Sequence, residues 1–244
     1  PHVQGALTTA SLPFDLAVAL VLGEAPLAPD GDVWPQTPFP ARLALPFTAD
    51  LAMTARAVAM PGRSLATDAS FKARLDREGL AVSDLSASSL GGRLTGLFEI
   101  RNNEGTGLLS VQASLADADL RALPGGDALA GKGDLTASLN ATGKSVGGMV
   151  TSLSGTGTAR LDELVIDGLN ANAVPALIAG ADRIGRDIDA AAVEAFAPAI
   201  AREGRFTAAP VELAYTVAGG VVRAAPFTLA DQGASAMVEF RADL

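Results

Sequence analysis

The sequence predicts a mainly β fold with one helical insertion: an antiparallel, strongly twisted or curled, groove-like sheet. Three observations predict it. Apolar and polar residues alternate over long stretches, turn signals cut those stretches into strands, and one region near residues 170–203 switches to a helical period. Strict alternation gives each strand one apolar and one polar face, as in an antiparallel sheet packed on a single side.

The ladder is clearest from Phe39. Phe39, Ala41, Leu43, Leu45, Phe47, Ala49, Leu51, Met53, Ala55 and Ala57 hold the odd positions, with Arg42, Thr48, Asp50, Thr54 and Arg56 among the even ones. Pro46 has no N–H to give a ladder and marks an edge or a break into two strands. The alternation recurs through Leu65, Ala69, Phe71, Ala73 and Leu75, through Leu94, Phe98 and Ile100, and through Leu109, Val111, Ala113 and Leu115. It returns in Leu135, Ala137, Leu139 and Ala141, in Val211, Leu213, Tyr215 and Val217, and from Ala234 by Ala236, Val238, Phe240 and Ala242 to Leu244. Turns are expected at Glu78-Gly79, Gly91-Gly92, Asn102 to Gly107, Pro124 to Gly126 and Gly219-Gly220. Between Leu161 and Leu164 the apolar phase slips by one residue around Glu163, which predicts a β-bulge. Residues 3–22 read as further strand. The Pro- and Asp-rich stretch Glu24–Pro40, which holds the only Trp, Trp34, reads as an ordered loop.

From Asn170 to Arg202 the period is helical. Leu177, Ile178, Ala181 and Ile184 form one stripe, and Val193, Phe196, Ala197 and Ile200 a second, with Asp189 as N-cap and Gly204 as the stop. Pro198 should kink or shorten the second helix. These helices are expected to pack on or cap the apolar face. Shorter helices are expected at Ser145–Leu153 and Leu115–Leu123. The chain divides into the tail of a preceding β repeat with its loop (1–38), a β repeat (39–130) and a C-terminal β module carrying the insertion (131–244), forming one continuous unit.

Composition narrows the chemistry. A net charge of −9 with only three lysines (Lys72, Lys132, Lys144) argues against nucleic acid and against unaided adsorption to an anionic bilayer. The chain has no cysteine, so disulfides, thiolate catalysis and Cys-based zinc sites are excluded. His2 is the only histidine, so neither a Ser-His-Asp triad nor a His-metal cluster can be assembled. The longest apolar run, Leu16–Leu22, is far short of the ~20 residues that span a bilayer. The opening Pro1-His2 reads as the start of a piece of a longer protein, with any anchor upstream.

Two motifs look like sites. Gly126, Gly131 and Lys132 match the start of a phosphate loop, but Gly133 stands where magnesium coordination needs Ser or Thr, and Asp134–Thr142 alternates like a strand. Asp187 with Asp189, and Asp30 with Asp32, form carboxylate pairs that read better as a helix cap and a solvated turn than as acid–base pairs. No lysine has a serine three residues upstream, so a Ser-Lys nucleophile is unsupported. The expectation is a protein that is no enzyme and uses neither cofactor nor metal. Its apolar faces form either a closed core or a trough that holds acyl chains.

Several segments together resemble the AsmA-like family. Its repeating body is matched from Ala49-Asp50-Leu51, through Asp84-Leu85-Ser86-Ala87 and Gly91-Gly92-Arg93-Leu94-Thr95-Gly96, to Ala118-Asp119-Leu120. Its C-terminal signature is matched by Gly131 to Ser145, Leu153-Ser154-Gly155-Thr156-Gly157, Val165-Ile166-Asp167-Gly168-Leu169, and the terminal Phe227, Asp231-Gln232-Gly233 and Val238. The resemblance covers about residues 40–244. It implies a periplasmic protein of Gram-negative bacteria, held in the inner membrane by an upstream helix and associated with outer-membrane assembly and phospholipid transport. It also implies a bridge-like apolar groove, with phospholipid acyl chains and other envelope proteins as partners. The lipid-facing residues would then be Leu43, Leu45, Phe47, Leu51, Phe71, Leu94, Phe98, Val111, Leu135, Leu139, Leu213, Tyr215, Val238 and Phe240. The alternative is a structural or protein-interaction scaffold of the envelope that binds no lipid. A third reading, an enzyme acting on envelope polysaccharide, would need Asp187 or Asp189 to meet a second carboxylate in a cleft.

Overall fold

The computed structural model describes residues 1–24, 27, 34–41, 47–60, 63–123, 125–184, 197–200, 202–231 and 233–244. The strands are β1 (His2–Pro13), β2 (Thr48–Met60), β3 (Arg63–Leu75), β4 (Gly79–Ser89), β5 (Gly92–Asn103) and β6 (Thr106–Asp119). They continue as β7 (Leu129–Gly143), β8 (Ser154–Asp167), β9 (Arg205–Thr207), β10 (Val211–Ala218), β11 (Val221–Ala230) and β12 (Ser235–Asp243). The helices described in full are α1 (Phe14–Leu22), α2 (Val146–Ser152) and α3 (Ala173–Ile184). All strands join one sheet in the order β1-β2-β3-β4-β5-β6-β7-β8-β10-β11-β12, with the short β9 on β8; β1 and β12 are not joined, so no barrel closes.

The expected strands are present at β1, β2, β3, β5 to β8, β10 and β12, β4 and β11 are additional, and the fold is mainly β. Four expectations are corrected. Residues 14–22 form α1 and not strand, because Leu16–Leu22 is a continuous apolar run without a period of two, with Asp15 in the first turn, entered from the extended Pro13 and ended by Gly23 at φ 86°. The sheet is mixed and not purely antiparallel, since β1 runs parallel to β2. A parallel pair needs a long crossover, and the chain from α1 to Phe47 supplies it. Strand β2 starts at Thr48, whereas Phe39 and Pro40 lie outside any strand. The helix expected at Leu115–Leu123 is replaced by a strand running to Asp119 and one short 3-10 turn at Leu120–Ala122. Pro46, Leu43, Leu45, Asp30, Asp32, Asp187, Asp189 and most of the second insertion helix lie outside the described residues, although Ala197–Ile200 is helical. At the expected helix Ser145–Leu153, Ser145 caps α2 by accepting a bond from the Gly148 N–H at 3.1 Å.

Bulges run through the sheet. Asp68, Asp84, Asp117 and Glu163 have φ between 50° and 57°, and each sits where the pairing register shifts. A bulge adds one residue, so the apolar phase changes parity there. In β4 it passes from Leu80 and Val82 to Leu85 and Ala87; in β6 it passes from Val111 and Leu115 to Ala118. The free N–H of Asp117 is met by Asp134 Oδ1 at 2.9 Å on the facing strand. The slip read at Glu163 is therefore one of a series.

Packing concentrates in three clusters. At one end, Val21 and Leu22 of α1 and Met149 of α2 bury Ala49, Leu75, Leu80, Ile100 and Ala141, and Phe14 meets Phe98 edge-on at 5.7 Å. Residues 34–40 bind this end together. Phe39 N–H donates to the Lys144 carbonyl (2.8 Å), Gly147 N–H to the Pro35 carbonyl (2.9 Å), and Trp34 Nε1 to the Leu244 carbonyl (3.1 Å). Asn102 Nδ2 reaches the carbonyls of Val21 (3.1 Å) and Pro40 (3.0 Å). At the opposite end Leu120, Leu164, Phe206, Ala208 and Leu229 form a second cluster, and Ala55, Ala66, Ala69 and Ala87 a third.

Candidate functional site: the uncovered middle of the apolar face

Strand register aligns the apolar positions into rows that cross the sheet. One row runs Val82, Phe98, Val111, Leu139, Gly155, Val217, Val222, Ala242. A second runs Leu94, Leu115, Leu135, Ala159, Leu213. Between them lies a row of smaller residues, Gly96, Ala113, Ala137 and Gly157, which continues to Tyr215, Ala224 and Phe240. Because cross-strand partners share a face, these rows are one surface.

The residues expected to face lipid divide by position on that surface. Phe47, Leu51 and Phe98 pack against the α1–α2 cluster, Phe71 and Leu94 against the alanine cluster, and Val238 against the Phe206 cluster. Val111, Leu135, Leu139, Leu213, Tyr215 and Phe240 belong to none of the three clusters among the described residues. They form a contiguous band with Ala113, Leu115 and Ala137. Leu135 is 41% exposed and Phe240 48%. Leu43 and Leu45 lie outside the described residues. Sequence reasoning placed Leu115 and Val217 in alternating strands but left them, with Val222, out of the lipid-facing set. Their signal was the register itself, which assigns a face to every partner of a known face residue.

Tyr215 shapes the floor of the band. Its hydroxyl donates to the Thr136 carbonyl at 2.8 Å, so the ring crosses β8, where a methyl group on Gly157 would collide with it. An aromatic laid over a strand glycine covers backbone that lacks a side chain of its own. Burial pushes the Tyr215 phenol above its ordinary pKa.

The opposite face is polar. It carries Thr95, Gln112, Ser114, Thr136, Ser138, Thr156, Thr158 and Thr216, and these line a depression of about 700 Å³ together with Gly96, Ala113, Ala137, Gly157 and Tyr215 of the middle row. Its hydroxyls partly satisfy one another, as between Thr136 and Thr158 at 2.7 Å. Ion pairs flank it: Lys72–Asp84 (2.8 Å), Arg101–Glu99 (2.6 Å) and Arg160–Asp162 (2.7 Å). The hydrogen bond from Arg160 draws Asp162 below the usual carboxylate range, while Asp84 raises Lys72 and Glu99 raises Arg101. These are solvated pairs holding fixed charges, with no pKa brought toward neutrality for proton transfer.

The other sequence candidates fall into ordinary places. Gly126 opens a short 3-10 turn, Gly131 (φ 128°) is a bulge residue of β7 and Lys132 donates to the Asp117 carbonyl, so the phosphate-loop match runs from a turn into a strand. His2 bonds Thr48 Oγ1 at 2.9 Å and stands 3.4 Å from Asp50. Among the described residues, no group of three or more His, Cys, Asp or Glu could hold a metal, and no helix is long and apolar enough to cross a membrane.

What this arrangement can do chemically is hold an apolar chain on one face while the other stays in water. The chain matches no family model, and no curated protein or solved structure is significantly similar to it.

Proposed function

We propose that this chain is a non-catalytic β module that shields or conducts phospholipid acyl chains in the periplasm, beside the inner membrane, in the manner of the AsmA-like proteins it resembles. In this reading the sheet curls around its apolar side, and the helices near residues 170–203 cap the resulting groove. One observation carries the proposal: the apolar rows cross the sheet from strand to strand, and among the described residues their band packs against none of the three clusters and leaves Leu135 and Phe240 exposed. The mechanism is passive. Acyl methylenes leave water for the band at ~0.8 kcal/mol each while headgroups remain hydrated. The test is mass spectrometry of gently purified protein, with phospholipid expected to accompany it. Leu139→Glu and Phe240→Glu should remove that lipid and leave the far-ultraviolet circular dichroism unchanged. Protein that never carries lipid, in cells or after incubation with vesicles, refutes the reading.

A scaffold module without lipid is the second reading. The exposed edge strand β1 favours it, because a free edge is a docking place for other chains.

A further inference from the structure

A second depression, of about 300 Å³, lies over β5, β6, β7 and β8, strands inside the sheet and not at either edge. Register builds it from two rows. Glu99, Ser110, Asn140 and Ser154 face one another across the four strands, and beside them run Arg101, Leu108 and Thr142. The intervening Leu109 and Ala141 turn the other way, into the α1–α2 cluster, so this depression opens on the polar side. Among the described residues the side chains of Ser110, Asn140, Thr142 and Ser154 bond to no other residue. That leaves one amide and three hydroxyls around a single hollow, and these groups both donate and accept hydrogen bonds. Arg101 and Glu99 compensate each other, with Nε and Nη2 both 2.6 Å from Glu99 Oε1, so the hollow offers no unpaired charge. Leu108, 40% exposed, adds an apolar patch.

We propose that this depression binds one sugar unit of a neutral polysaccharide, with Ser110, Asn140 and Ser154 bonding its hydroxyls and Leu108 against its ring. A hexose has the matching chemistry: hydroxyls around its rim and C–H groups on its faces. The alternatives fit less well. An ionic ligand would need a charge that the Arg101–Glu99 pair does not leave free, and a protein partner would need an aromatic or Met anchor, which the lining lacks. The volume is at the small end of ligand sites, enough for one ring. Two residues further along the strands, Gln112, Ser138 and Thr156 form the next uncharged row, so neighbouring units of the same glycan find amide and hydroxyl partners there. The site faces away from the apolar band and stands whether or not that band carries lipid.

Nuclear magnetic resonance titration of the isotope-labelled chain tests it, with neutral tetrasaccharides of glucose, mannose, galactose and N-acetylglucosamine as probes. At least one should bind in the millimolar range or tighter, and the amide shifts should gather at Ser110, Asn140 and Ser154. Asn140→Ala removes a donor and an acceptor from an exposed position and should weaken binding about 5-fold or more. Ser154→Ala gives a second reading should Asn140→Ala disturb the fold. Inorganic phosphate, titrated in the same way, should leave these amides unmoved. Absence of binding by all four tetrasaccharides overturns the inference. So does binding that neither variant weakens, or phosphate moving these amides at lower concentration than any sugar.

Discussion

Replacing Leu135 by Glu separates an uncovered band from a closed core. Leu135 is 41% exposed, between Leu115 on β6 and Ala159 on β8. Full burial of a leucine contributes roughly 1.5–3 kcal/mol, so the buried remainder is worth about 1–2 kcal/mol. The new carboxylate can reach water and adds little. A domain of this size loses roughly 2–4 °C of melting temperature per kcal/mol, so Leu135→Glu should melt about 2–8 °C lower. Ile100→Glu is the contrast. Ile100 is 3% exposed inside the α1–α2 cluster, and a carboxylate there has no aqueous path. Lost transfer energy plus desolvation of the charge comes to at least ~5 kcal/mol, comparable with the whole stability of many domains. Thermal unfolding followed by near- and far-ultraviolet circular dichroism reads both. Equal damage from the two substitutions would mean that Leu135 is covered in solution, and the reasoning would fail.

Two further predictions follow from single residues. Tyr215 is the only tyrosine, so phenolate absorbance reports it alone, and its midpoint should lie above 10.0 in the folded protein. A raised folded-state pKa means that this stabilisation is complete below the ordinary tyrosine value and is lost as pH climbs through the higher one; a midpoint at or below 10.0 contradicts the burial of the ring. Asn102→Ala removes bonds to the Val21 and Pro40 carbonyls and from the Gly105 N–H, and should cost about 2–3 kcal/mol in urea unfolding. No loss of stability there would show that the tie between α1, residues 34–40 and the β5–β6 turn is dispensable.

Much of the sheet was legible because its physics is local. Alternation reveals a strand wherever one face is wet, and that holds for β3, β5, β7, β10 and β12. The failures have physical causes. Leu16–Leu22 is apolar throughout, so periodicity cannot tell a helix from a buried strand. The parallel pairing of β1 depends on a long return path that leaves no local trace. Strand β11 was passed over because Ala225-Pro226 flips its phase between Ala224 and Phe227. That same signature, a polar or turn-forming residue where the apolar parity changes, was recognised at Glu163 and overlooked at Asp84 and Asp117. The face of each candidate residue could be read from sequence. Whether that face was covered could not, because the cover comes from α1 and residues 34–40, which reach Ile100 and Lys144 through the fold alone.

Two adjacent residues give the most direct measurement. Val111 lies in the apolar row and Gln112, next along the strand, is exposed on the polar side, so Val111→Cys and Gln112→Cys place one label on either face of β6. Each is labelled with an environment-sensitive fluorophore in this cysteine-free chain and mixed with phospholipid carrying a quencher on its acyl chain. Acyl chains lying on the apolar face should quench the label at 111 and spare the one at 112. Equal quenching at both sites, or none at 111 under conditions where lipid is bound, would contradict the account.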